Sequence, residues 1–229
     1  MAEIWDPHGS LRRMLWIGGA QWAGKTTVSD LVADRHGLTV YHYDYHDSRG
    51  HRDRRVAHKV ARGEPVTEPD AEEIWINHGP EVLAAQVLAG FPARFEWVLD
   101  DLRAWYTSRP AIAEGWGLRP ELVAPLVDSS RRMVVLVPTE EFRQHQLRTV
   151  PRALAVEAAV SDPALAQSHR VERDRLIADD VVRSARRLGV RVIEVDGTRD
   201  ATAVAAEVAD VFAPYLRDLG DPRVSPALV

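Results

Sequence analysis

Short apolar runs alternate with amphipathic stretches along most of the chain, and that rhythm predicts its elements. Met14 to Ile17 is a brief apolar run that leads into glycines. Val28, Leu31 and Val32 follow at helical spacing until Gly37, a residue suited to ending a helix. Leu38 to Tyr43 alternates like a strand and is rich in aromatic and β-branched residues, until the charged run DSRGHRDRR interrupts it. Residues 48 to 108 read as mostly helical, with a proline-broken loop at GEPVTEPD and a long helix carrying Val82, Leu83, Val87 and Leu88. Pro110 to Ala113 and Met133 to Val137 are short apolar runs of the kind that form buried parallel strands. A helix from about Thr139 to Arg148 comes next, then a loop through SDPA and a charged helix from about His169 to Leu188. The strand VRVIEV and a last helix from Ala201 complete the pattern.

Strands separated by helical segments imply a parallel sheet with helices on both faces. Such sheets bind ligands beyond the carboxyl ends of their strands, so residues just after strands carry most of the functional interest. No internal repeat or low-complexity tract is present. At 229 residues the chain suits one sizeable α/β domain, with residues 1–11 as an extension and GDPRVSPALV, 220–229, as a loose tail.

Composition narrows the classes. Hydrophobic residues at 45% and charged residues at 28% suit a globular protein, and a net charge of −5 provides no broad basic surface for nucleic acid. There is no cysteine, which excludes disulfides, thiolate catalysis and cysteine metal sites. The amino terminus is unlike a secretory signal, and no stretch approaches the roughly 20 apolar residues of a membrane span. A cytoplasmic protein that engages neither membrane nor nucleic acid is expected.

Gly19-Ala20-Gln21-Trp22-Ala23-Gly24-Lys25-Thr26 fits the phosphate-binding pattern G-x-x-x-x-G-K-[ST], between a strand and a helix. Glycines let the backbone turn tightly so that successive N–H groups point inward, and the helix N-terminus adds partial positive charge. Lys25 is then placed for the β and γ phosphates of ATP and Thr26 for the Mg²⁺ that bridges them, with Thr27 at the start of the helix. Trp22 departs from the small residue often found at its position.

With this loop, with Asp44 after the second strand, Glu114 after the third and arginines after the fourth, the chain resembles the P-loop kinases that phosphorylate nucleosides, nucleotides and other small molecules. That resemblance covers most of residues 12 to 215. It implies a parallel five-stranded sheet within a kinase domain spanning 12–219. It also implies a helical lid at about 139–170 and an acidic residue after the second strand that activates the acceptor hydroxyl.

Each further residue carries more than one reading. In YHYDYHD, a two-residue period places His42, Asp44 and His46 on one face and the three tyrosines on the other. Asp44 then serves as base toward a substrate hydroxyl, or as a solvated residue at the strand's end, or as part of a His-Asp-His metal site. Glu114 suits the Mg²⁺ shell. Gly115 and Gly117 suit close backbone approach to a substrate, and Trp116 and Arg119 suit acceptor contacts; the bland alternative is a turn capping a helix at Pro120 and Glu121. Arg143, Arg148 and Arg152 are lid cations for the migrating phosphoryl group, or the wet face of an amphipathic helix. Arg49, Arg52, Arg54 and Arg55 form a basic cluster that suits an anionic acceptor, or surface charge partnered by Asp47 and Asp53. In the charged helix, Arg170 with Asp174 and Asp179 with Arg183 are spaced as ion pairs. Asp196 and Gly197, ending the last strand, fall where similar kinases place a loop beside the adenine. Of the seven tryptophans, most suit the core and some an apolar acceptor pocket.

The expected activity is transfer of the γ-phosphoryl of ATP to a small-molecule hydroxyl, dependent on Mg²⁺. Its rivals are a nucleoside monophosphate kinase and a nucleotide-gated regulatory protein.

Overall fold

The computed structural model describes residues 5, 6, 9–67, 70–105, 107, 109–149 and 160–218. Five strands, β1 (Leu15–Gly19), β2 (Thr39–His42), β3 (Ala111–Glu114), β4 (Met133–Pro138) and β5 (Arg191–Val195), form one parallel sheet in the order β2-β3-β1-β4-β5. The expected parallel five-stranded sheet is the one found. Its helices are α1 (Ser10–Arg13), α2 (Lys25–His36), α3 (Tyr43–Ser48), α4 (Gly50–Ala61), α5 (Ala71–Trp75), α6 (Pro80–Ala104), α7 (Pro120–Val123), α8 (Glu140–Thr149), α9 (Pro163–Arg187) and α10 (Ala201–Asp218).

Alternation along each strand sends side chains to two separate cores, because successive residues in a strand face opposite ways. Trp16, Ala113, Met133 and Val135 meet α6 and α9 through Phe95, Val98, Leu99, Ala178, Val181 and Ala185. Leu15, Ile17, Ile112, Val134, Leu136 and Ile193 meet α2 and α10 through Val28, Val32, Val204, Val208 and Phe212. Strands β1, β3 and β4 are buried along their whole length, which is why they read as unbroken apolar runs.

Three sequence expectations need correction here. Residues 43–48 are helical, so no common strand face carries His42, Asp44 and His46. The last pairing of β2 is His42 with Glu114, where β3 ends, and beyond it the chain has no neighbour to bond and turns into α3. Among the described residues, no group of three or more His, Asp or Glu side chains is arranged to hold a metal ion. Secondly, α9 begins at Pro163 rather than near His169. Asp162 caps it by accepting from the Leu165 N–H, and Pro163 occupies the first turn, where its missing N–H costs nothing. Thirdly, α6 spans 25 residues and by length and composition alone is apolar enough to cross a membrane. Leu83, Phe91, Phe95, Val98, Leu99 and Leu102 of this helix are buried in the fold, while Val82 is exposed.

One polar knot fixes the segment that carries Asp44. Asp101 of α6 accepts from the Tyr41 hydroxyl at 2.9 Å and from Arg54 at 2.8 Å, and His51 Nε2 lies 2.7 Å from the same carboxylate. His51 is 1% exposed, and His46 stacks flat on Tyr41 with ring centres 4.3 Å apart. Burial alone would raise the Asp101 pKa, but hydrogen bonds from His51, Tyr41 and Arg54 outweigh it and hold the group below the usual carboxylate range. The knot ties β2, α3 and α4 to the long helix α6.

Candidate active site

The glycine loop is shaped by what surrounds it. Gly19 ends β1 with φ 126°, and a Cβ there would lie 2.0 Å from the Leu136 carbonyl oxygen, so only glycine fits against β4. Gly24 takes the left-handed conformation immediately before α2 and carries no side-chain cap. The first N–H groups of α2 therefore point into the loop without a capping carboxylate, an arrangement suited to an anion. Lys25 is 6% exposed and donates from Nζ to the Ala20 carbonyl at 2.8 Å, curling over the loop it belongs to.

Trp22 is the sole non-glycine residue with positive φ, 68°, among the described residues. A left-handed tryptophan stores strain of roughly 1–3 kcal/mol, so neighbours must hold it. Leu147 of α8 and Val171 of α9 pack on the indole, and its Nε1 donates to Asp174 at 3.4 Å. Arg173 grips the same Asp174 through Nε at 3.0 Å and Nη2 at 2.6 Å. The Arg173 guanidinium lies 4.9 Å from the Trp75 ring centre and 5.9 Å from that of Trp116. Helical spacing pairs Asp174 with Arg170, whereas the bidentate contact in the structure comes from the adjacent Arg173. Asp179 likewise pairs with Arg175, and Arg183 with Asp180.

Three strand ends converge beside the loop. Glu114, at the tip of β3, registers against Ile17 and His42 on its two neighbours and is 1% exposed. Its Oε1 accepts from the Thr26 hydroxyl at 3.2 Å and lies 2.9 Å from His42 Nδ1, while Oε2 is buried with no hydrogen-bond partner. An orphaned carboxylate oxygen beside a threonine hydroxyl is a pair of hard oxygen donors, which fits Mg²⁺ in chemical type.

Asp44 sits in the first turn of α3. The residue lies open at the mouth of the site, yet its carboxyl is crowded by protein atoms. That desolvation raises its pKa above the usual value, with Lys25 opposing and Glu114 and Asp47 adding to the rise. The Trp116 backbone N–H also hydrogen-bonds the carboxyl. Asp44 and Glu114, distant in sequence, are thus neighbours of Lys25 and Thr26.

Other sequence candidates land differently. Gly115 and Gly117 make room for Tyr43 rather than for a substrate, since a Cβ on either would strike the tyrosine at 2.5 Å and 2.3 Å. Arg119 is fully buried, donates to Glu121 and Asp180, and leaves only Nη1 without a partner. Arg55 and Arg94 share Asp47, Arg54 holds Asp101, Arg49 lies over the Tyr45 ring at 3.9 Å, and Arg52 is engaged by neighbouring groups. Arg143 is buried on α8 and donates to Glu140 at 2.9 Å, while Arg148 on the same helix is exposed. Asp196 caps an exposed turn by accepting from Thr198, with Gly197 between them. Arg152, and with it part of the expected lid, lies outside the described residues, as do residues 220–229.

No family model matches the sequence, and no curated protein matches it. Among solved structures the chain is similar to the shikimate kinase of Acinetobacter baumannii in complex with shikimate, at 18% identity and TM-score 0.46, over 88% of this chain and 93% of that one. It is similar to the shikimate kinase of Aquifex aeolicus, at 15% identity and TM-score 0.40, over 91% and 99%. It is similar also to a gluconokinase of Sinorhizobium meliloti, at 15% identity and TM-score 0.41, over 90% and 94%. These likenesses are loose in both sequence and superposition.

The fold is a parallel five-stranded α/β sheet with a glycine loop at the end of its first strand. That statement stands on the chain's own topology: a glycine loop between β1 and α2, inside a sheet ordered β2-β3-β1-β4-β5.

Proposed function

We propose that this protein is an ATP-dependent phosphotransferase that moves the γ-phosphoryl group to a hydroxyl of a small-molecule acceptor. The observation that carries this reading is the convergence of Asp44 and Glu114 on Lys25 and Thr26. Nucleotide and magnesium binding account for Lys25, Thr26 and Glu114, and leave Asp44 as a further carboxylate at the same place, available to an acceptor hydroxyl.

Residues 19–27 hold the triphosphate through loop and helix N–H groups, and Lys25 exchanges its bond to Ala20 for phosphate oxygens. Thr26 and Glu114 would hold magnesium, which would supply positive charge to screen the phosphates. Asp44 accepts the proton of the acceptor hydroxyl. As that oxygen bonds to the γ phosphorus, the bond from phosphorus to the β–γ bridging oxygen breaks and ADP departs. The raised pKa of Asp44 makes it a stronger base than an ordinary aspartate. Arg148, and Arg143 once released from Glu140, are the α8 cations available to the migrating phosphoryl group.

Of the arginines that would grip a nucleoside monophosphate, Arg49, Arg52 and Arg119, the last is buried and already paired with Glu121 and Asp180, which weighs against that acceptor. The test is acceptor-stimulated ADP release with Mg²⁺ across panels of nucleosides, nucleoside monophosphates, sugars and hydroxylated antibiotics. Turnover that depends on an acceptor and vanishes in Lys25→Ala supports the reading. Slow hydrolysis indifferent to every acceptor leaves a nucleotide-gated regulatory protein instead.

A further inference from the structure

We propose that the acceptor is an uncharged alcohol bearing a flat ring, stacked on the wall formed by Trp116 and Trp75, with its hydroxyl turned to Asp44. This inference rests on the phosphotransfer reading and names the class of molecule that the site takes.

Place comes first. The backbone N–H of Trp116 holds the Asp44 carboxyl, so the main chain at residue 116 lies beside the group that receives the hydroxyl proton. Arg173 lies beside the indole of Trp116 and beside the indole of Trp75, so two rings and a planar guanidinium line one wall. Phe91 meets Trp116 edge-on at 5.2 Å and backs it from the core side. At the other end, Asp174 links Arg173 to Trp22 of the phosphate loop. Pairwise contacts thus link Trp116, Arg173, Asp174 and Trp22, from the residue whose main chain holds the proposed base to the phosphate loop. Trp75 and Trp116 are both half-buried, leaving part of each indole open.

Charge comes second. Arg173 is compensated by Asp174, Arg119 by Glu121 and Asp180, Arg55 and Arg94 by Asp47, and Arg54 by Asp101. A carboxylate or phosphate on the acceptor would meet, at Arg173, Arg119, Arg55, Arg94 and Arg54, guanidinium groups already paired, and would stand near the carboxyl groups of Asp44, Asp47 and Glu114. An uncharged molecule meets no such repulsion, and a flat ring gains from stacking on indole and guanidinium faces. In the reaction the acceptor's O–H gives its proton to Asp44 and its oxygen forms the new bond to phosphorus. ADP leaves with the electron pair of the broken bridge bond.

The experiment crosses ring with charge. Initial rates of ADP release with Mg·ATP are measured against adenosine and 1-phenyl-1,2-ethanediol (flat ring, uncharged), AMP (flat ring, anionic), glucose and glycerol (no flat ring, uncharged), and gluconate (no flat ring, anionic). The inference expects kcat/KM for a flat-ringed uncharged alcohol to exceed every other class by about tenfold or more. Trp75→Ala should raise the acceptor KM by about tenfold with the KM for ATP unchanged, and Trp75→Phe should restore most of the loss. Thermal melts of both variants separate a lost contact from a lost fold. Preference for AMP, gluconate or the ringless sugars, with turnover that still needs Lys25, overturns the inference and leaves phosphotransfer standing. If no compound stimulates Lys25-dependent release, phosphotransfer fails and the inference fails with it.

Discussion

Asp44→Asn isolates the base from everything else the site does. The amide is nearly the same size as the carboxyl, and its oxygen still accepts from the Trp116 N–H, so α3 should keep its place. What is lost is the ability to take a proton, an effect worth about 10²–10⁴ in rate for a positioned general base. At 1.36 kcal/mol per decade this amounts to about 3–5 kcal/mol of transition-state stabilisation. A second effect runs the other way. Burial holds the native pKa of Asp44 above its ordinary value, with Glu114 and Asp47 contributing. A carboxyl whose native pKa exceeds its unfolded one takes stability from the fold as pH rises from the unfolded value of 3.8 through the native pKa, and that burden is present at neutral pH. Asn removes that burden, and the variant should melt higher than the wild type while turning over far more slowly. Steady-state kinetics with a stimulating acceptor and a thermal melt at pH 7 measure both. In the wild type, kcat/KM should fall as pH is lowered, through a limb lying above the ordinary aspartate value of 3.8. A loss of kcat below about tenfold, or a loss matched by an equal rise in the KM for ATP, would refute the assignment of Asp44 as base.

Gly19→Ala combines a disfavoured φ with a Cβ placed 2.0 Å from the Leu136 oxygen, so urea denaturation should show a loss of about 3 kcal/mol or more; a loss under about 1 kcal/mol contradicts that packing. Asp101→Asn strips the carboxylate from Tyr41, His51 and Arg54 and should cost about 2 kcal/mol at neutral pH. Because the native pKa of Asp101 is depressed, its contribution is present above the unfolded value of 3.8 and is lost as pH falls through the native value. Wild type and variant should therefore converge in stability in acid, and a gap independent of pH would contradict this.

Sequence revealed most where burial leaves one solution. Strands β1, β3 and β4 are enclosed on both faces, so their apolar runs were legible without knowing their neighbours, and Gly19, Gly24 and Lys25 announced the loop by spacing alone. The break at Tyr43 was not legible. The alternation of YHYDYH continues past the point where β3 runs out of partners, and pairing is a property of two segments. The same limit hid the bond from Thr26 to Glu114, the glycines that admit Tyr43, and the Asp174 contact of Trp22, which links positions separated by 152 residues. Arginine roles were the least legible. Local spacing suggested Arg170 for Asp174 and Arg183 for Asp179, whereas the helix pairs Arg173 and Arg175 with those carboxylates instead. An arginine that reads as a ligand group in sequence becomes a structural counter-ion once a carboxylate from another helix reaches it, as Asp180 reaches Arg119.

The proposed function depends first on the triphosphate of ATP resting on residues 19–27, and titration calorimetry of the folded protein with ATP measures that directly. One site per chain is expected, strengthened by Mg²⁺ and weakened by about tenfold or more in Lys25→Ala, as loss of a charge-assisted bond requires. Absence of heat with ATP in the presence of Mg²⁺, or binding that Lys25→Ala leaves untouched, would contradict it.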